Sequence, residues 1–215
     1  MNLYFISGLG ADKRVFQYLQ FSPSVNVVHL DWLPASANDS LFSYAQKMAE
    51  RIDATKPFCV IGLSLGGMIA AEISELLHPH KTILISSVAS YNELPLLYRA
   101  GGKLGLHQLI PSGAAGRFDF ILHYQFGIKS AGDKLLLRQI INDSDRKFSK
   151  WAVNAVVHWQ RKQAPPSVIR IHGTRDRVLP ITGFRPDYIV EGGGHFMIVN
   201  KAKEISTLLH QIITS

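Results

Sequence analysis

Only one cysteine, Cys59, occurs in the 215 residues. No intrachain disulfide can form, and a lone thiol inside the apolar run 58–61 reads as a small buried apolar side chain. That usage fits a reducing, cytoplasmic setting. No apolar run reaches the roughly 20 residues of a membrane span, so no membrane association is expected. No basic stretch precedes the first apolar run, Leu3-Tyr4-Phe5-Ile6, and no small-residue cleavage site follows it, so a secretory leader is not expected. Histidines and carboxylates show no zinc-like ligand spacing, and neither repeats nor low-complexity tracts are present. No metal, cofactor or solenoid is therefore expected. Charged residues are few, at 18% against 47% apolar, which describes an ordinary globular chain with a sizeable core. The length suits one domain with an insertion.

The net charge of +7 is unevenly placed. Residues 91–166 carry +6 and the remainder +1. This basic segment has no dense basic run and no nucleic-acid motif, so it reads as a solvated lysine-rich surface and no nucleic-acid partner is expected.

Along the chain, short apolar runs at 2–6, 25–30, 58–61, 82–85, 168–171 and 188–190 read as strands. Between them lie helical patterns: one capped by Asp12 and carrying Val15, Phe16 and Leu19, one over 40–52 with Leu41, Tyr44, Ala45, Met48 and Ile52 at helical spacing, one from Met68 to the stop at His78-Pro79, and a last one over 201–213. From Ser86 the alternation breaks. Residues 91–163 offer helical patterns at roughly 92–100, 115–126, 131–141 and 145–162, and Pro165-Pro166 closes the block. The alternation predicts an α/β fold with a mostly parallel sheet flanked by helices, the core made of 1–87 and 167–215 and a helical lid insertion of 88–166. Trp151, Ala155 and Trp159 share one helical face, which reads as packing within that insertion ahead of the alternative, a pocket lining.

The most telling stretch is Gly62-Leu63-Ser64-Leu65-Gly66-Gly67. A strand that turns at once into a helix forces the residue at the apex into strained backbone geometry and projects its side chain off the sheet. Small residues two positions either side are required where strand and helix crowd together. This G-x-S-x-G arrangement is neither the G-x-G-x-x-G of dinucleotide sites nor a phosphate loop, which needs a following lysine. A serine hydroxyl is a poor nucleophile without a base, and the base needs an orienting group. Two later contexts supply such residues just past strand ends: His172-Gly173-Thr174-Arg175-Asp176 and Glu191-Gly192-Gly193-Gly194-His195.

Through GLSLGG, HGTRDRVLP and GGGHF, in that order and across nearly the whole chain, the sequence resembles a lid-bearing member of the α/β-hydrolase superfamily, beginning at the family's third strand. The resemblance implies Ser64 as nucleophile, Asp176 as orienting acid and His195 as general base. It implies the backbone N–H groups of Leu65 and Leu9 as oxyanion donors, although many relatives have His-Gly where this chain has Ser7-Gly8. It makes His172 the residue that opens the acid's loop, assigned to packing. Some relatives carry the acid after the strand that precedes the lid, where this chain has Ser86 and Ser87. His29, His78 and His80 carry no motif and read as structural.

The expected activity is that of a serine hydrolase acting on a small-molecule carboxylic ester or thioester through an acyl-enzyme. A serine at the elbow disfavours the dehalogenase and epoxide hydrolase chemistries of the superfamily, which use an aspartate there. The charge of the insertion leaves room for an anionic substrate such as a carboxylate or a coenzyme A thioester. Two readings from other classes stay open at this point: a ligand receptor with a vestigial triad, and an acyltransferase or lyase using the same machinery.

Overall fold

The computed structural model describes residues 1–103 and 119–215. Six runs form strands: β1 (Asn2–Ile6), β2 (Asn26–Leu30), β3 (Phe58–Leu63), β4 (Lys81–Ile85), β5 (Val168–Gly173) and β6 (Tyr188–Val190). All pair in parallel in a single sheet of order β2-β1-β3-β4-β5-β6. The order reverses between β1 and β3. The chain leaves β1 toward one edge and, from β3 on, builds the other side, so the carboxyl ends of β1 and β3 flank a switch point where open parallel sheets form their crevice.

Side chains along β1 alternate between two apolar clusters, as the period of two requires. Tyr4 and Ile6 join a cluster with α1 (Leu41–Ala49) and α2 (Leu65–Leu77); Leu3 and Phe5 join one with α8 (Ala202–Thr214). The central strand β3 is buried at all six positions, and Cys59 is wholly inaccessible there. On α8, Ile205, Leu209 and Ile212 recur on one face and are buried, each contributing about 1.5–3 kcal/mol of hydrophobic stabilisation.

Between β4 and β5 lie α3 (Leu96–Lys103), α4 (Asp119–Phe126), α5 (Ala131–Asp143) and α6 (Arg146–Val157), and a short α7 (Met197–Asn200) precedes α8. Two of these pack into the clusters that cover the sheet. Phe148, Trp151, Ala155 and Trp159 join the α1–α2 side, and Leu136, Leu137 and Ile140 join the α8 side. The Trp151 ring lies 4.4 Å from that of Tyr44 and its Nε1 donates to the Asp39 carbonyl. Trp159 Nε1 donates to Glu72, a buried carboxylate that Arg161 also grips with two nitrogens. The residues expected to pack within the insertion thus pack against the α1–α2 layer instead, and Trp159 joins Trp151 and Ala155 from beyond the helix end at Val157.

Several helix limits differ from the sequence expectation. Asp12 does cap the Arg14 N–H, but after it the chain makes only a 3-10 turn, Lys13–Phe16. The segment 92–100 splits at Pro95. Leu94 takes an extended conformation, as a residue before proline prefers, and the helix restarts at Leu96. The pattern 145–162 ends at Val157, where Trp159 and Arg161 turn toward Glu72. Of the expected helix 115–126, residues 119–126 are helical and 115–118 lie outside the described residues. No helix among the described residues is long and apolar enough to cross a membrane.

Candidate active site

Ser64 sits between the end of β3 and the start of α2 with φ 52° and ψ −117°. For a residue with a Cβ, such backbone geometry costs on the order of 1–3 kcal/mol and persists only where the surroundings impose it. Here they do. The Ser64 N–H donates to the Ile85 carbonyl at 3.0 Å, and its own carbonyl accepts from the Gly67 N–H at 2.9 Å and from Ser87 Oγ at 2.6 Å. The flanking glycines are obligatory. A Cβ on Gly62 would overlap the Gly66 carbonyl, and one on Gly66 would overlap the main-chain oxygens of Ile6 and Ser7.

The loop after β1 passes directly beside the serine: a Cβ on Gly8 would lie 3.4 Å from Ser64 Cβ. Ser7 Oγ donates to the Ala11 carbonyl at 2.7 Å, Trp32 Nε1 donates to the same oxygen, and the Ala11 N–H returns to the Gly8 carbonyl. These bonds brace the loop that carries Leu9, a residue 43% exposed. Leu65 opens α2, so its N–H belongs to a first helical turn, which offers no intrahelical acceptor.

The loops after β5 and β6 bring two more side chains to this point. His195 Nε2 is 3.0 Å from Ser64 Oγ, and His195 Nδ1 is 2.8 Å from Asp176 Oδ2. The Val178 and Leu179 N–H groups donate to the other oxygen, Oδ1, at 3.0 and 2.9 Å. Burial opposes ionisation of Asp176. The charge of His195, hydrogen bonds from His172 and His195 and the Leu179 N–H outweigh it, and the carboxyl is held well below its ordinary range. The two loops are joined by the Arg175 N–H donating to the Gly193 carbonyl at 2.8 Å. Glycine is needed at 173, because a Cβ there would overlap Gly193.

The structure therefore brings Ser64, Asp176 and His195 together, with Leu65 next in the chain and Gly8, the neighbour of Leu9, beside the serine. His172 does not reach the serine; it is buried behind the acid. Two neighbours at the site had no assigned role in the sequence. Ser87 was visible only as the lack of a carboxylate after β4, and its hydrogen bond to the elbow depends on β4 lying next to β3. Phe126, at the end of α4, sets its ring edge-on to the His195 imidazole at 5.3 Å, and its carbonyl accepts from the Phe196 N–H at 3.1 Å. Nothing in the helical pattern of 115–126 singled it out. Arg177, next to the acid, fastens the same helix by donating to the Tyr124 carbonyl and stacking over the Tyr124 ring. Among the described residues, no group of three or more His, Cys, Asp or Glu side chains converges as metal ligands do.

The sequence profile of the alpha/beta hydrolase family matches residues 3–206. No curated protein matches the sequence closely. Solved structures do match the fold. An esterase from Exiguobacterium antarcticum superposes with a TM-score of 0.74 at 15% identity over 100% of this chain and 92% of its own. A thermophilic esterase from Thermogutta terrifontis gives 0.76 at 12% identity over 100% and 89%. A bromoperoxidase from Bacillus anthracis gives 0.70 at 14% identity over 100% and 92%. At such identities the likeness establishes the fold alone.

Proposed function

The chain belongs to the alpha/beta hydrolase family, and from that premise we propose that it is a serine hydrolase cleaving a carboxylic ester or thioester of a small molecule. One observation carries the reading: the unbroken chain of contacts from Ser64 Oγ to His195 Nε2, and from His195 Nδ1 to Asp176 Oδ2, at 3.0 and 2.8 Å. A hydroxyl projecting from a strained elbow has its proton directed at a base, and that base is fixed in one tautomer by a buried carboxylate. This is the minimum that nucleophilic acyl transfer demands.

In the proposed cycle Ser64 Oγ attacks the carbonyl carbon while His195 Nε2 takes its proton. Asp176 stabilises the imidazolium that forms, and the N–H groups of Leu65 and Leu9 receive the developing oxyanion. Loss of one such donor costs about 2.7–4 kcal/mol of barrier. His195 then protonates the leaving alcohol or thiol, and an acyl-enzyme remains on Ser64. Water deprotonated by the same imidazole attacks the acyl carbon and frees the acid. The esterases among the structures of like fold support the choice of an ester-type bond, and the +6 charge of residues 91–166 supports including anionic acyl donors.

Turnover of p-nitrophenyl esters and acyl-coenzyme A thioesters tests this. Wild-type protein is expected to hydrolyse at least one class, and Ser64→Ala to lose about 10³–10⁶-fold in kcat. Equal turnover by the two proteins would refute the reading.

A further inference from the structure

His172, next to last in β5 and four residues before Asp176, is fully buried and has no part in the cycle just described. Its Nε2 lies 2.7 Å from the Leu179 carbonyl oxygen and 3.3 Å from Asp176 Oδ2. A carbonyl and an ionised carboxylate only accept, so Nε2 carries the proton and the tautomer is fixed. The other ring nitrogen, Nδ1, is buried with no hydrogen-bond partner among the described residues. The ring also meets Phe184 edge-on at 5.2 Å. A side chain needed only to fill this apolar space would fill it without an orphaned nitrogen, since such an atom is costly to bury. What imidazole adds here is the Nε2–H.

That donor closes a ring around the acid. Leu179 gives its N–H to Asp176 Oδ1 and takes the His172 proton on its carbonyl, so both halves of the Leu179 backbone are engaged. Asp176 is then held from two sides. Its Oδ1 accepts from the Val178 and Leu179 N–H groups, and its Oδ2 accepts from His195 on one side and faces His172 on the other. Rotation of the carboxylate breaks contacts at both oxygens.

We propose that His172 is a positioning residue that fixes Asp176 for its hydrogen bond to His195, extending the array Ser64–His195–Asp176 by a second imidazole behind the acid. The proposal rests on the roles assigned above to those three residues. A carboxylate left to rotate loosens the His195 Nδ1–H bond and lets His195 leave the line to Ser64, which lowers kcat and leaves substrate binding unaffected.

The test compares His172→Phe, which keeps a ring and removes the donor, with His172→Gln, whose amide N–H reaches the same acceptors. The first readout is the low-field proton resonance of the His195 Nδ1–H in ¹⁵N-histidine-labelled protein, assigned with His195→Gln. We expect a resolved signal in the wild type, its loss to exchange with water in His172→Phe, and its return in His172→Gln. In parallel, kcat falls about tenfold in His172→Phe with KM unchanged, the scale of one hydrogen bond to a charged group, and recovers in His172→Gln. A wild-type resonance and kcat in His172→Phe would overturn the proposal, as would a His172→Gln protein as impaired as His172→Phe. Should His172→Phe not fold, His172→Met supplies the comparison without a donor. The resonance is read without substrate. It therefore decides the role of His172 by itself, whereas a wild type that turns over no ester counts against the hydrolase reading alone.

Discussion

At the scale of single residues, the site is set by what each side chain is denied. Ser64 is denied a relaxed backbone, and Asp176 is denied water. Asp176 is nonetheless kept ionised by its donors and by the charge of His195. Asp176→Asn leaves the volume unchanged, presents the wrong partner to His195 and is expected to lower kcat by about 10⁴-fold. It also has a stability signature. Because the folded carboxyl titrates below its ordinary value of 3.8, its ionised form adds stability that is complete above that pH and is lost as the pH falls through the folded value. Asparagine does not titrate. The stability gap between wild type and Asp176→Asn, measured by urea unfolding, is therefore largest at neutral pH and narrows below pH 3.8. A gap that stays constant down to about one pH unit below that value would contradict this account. Ser64, Asp176 and His195 were legible in the sequence because each stands in a local motif at a strand end. Ser87 and Phe126 were not, because their roles depend on which strand or helix lies beside them.

At the scale of elements, the strands were read almost residue for residue, since a buried parallel strand is a short apolar run bounded by polar residues. Helix ends were read less well. The pattern of apolar spacing did not register that Pro95 splits one segment, nor that Trp159 and Arg161 leave the helical path to reach a buried glutamate. The end of α4 matters most for the site. It seats Phe126 against His195, ties its carbonyl to Phe196 and is fastened to the acid's loop by Arg177. Phe126→Ala removes the ring while the main-chain bond to Phe196 remains, so His195 gains freedom to swing. We expect kcat to fall about tenfold, in line with an aromatic contact worth about 0.5–1.5 kcal/mol together with its buried area, while Phe126→Leu falls less. Steady-state kinetics beside thermal melts check this; an unaltered kcat in a folded Phe126→Ala would remove α4 from the description of the site.

At the scale of the whole molecule, sheet order does what no motif records. The reversal between β1 and β3 sets the loop after β1 against the elbow after β3, and the next strands add the acid and then the histidine at the same edge. Residues 131 apart in sequence thereby meet at 3.0 Å. The fold class was legible because alternating strands and helices admit few arrangements. The packing of α3 to α6 was not, since these helical patterns have packing partners that the sequence does not specify. The chemistry of Ser64 is tested most directly by reaction with a fluorophosphonate probe followed by mass spectrometry of the labelled peptides. The account predicts a covalent adduct on Ser64 in the wild-type protein and none in Ser64→Ala. A wild type that takes up no label, or a Ser64→Ala protein that takes up as much, would contradict it.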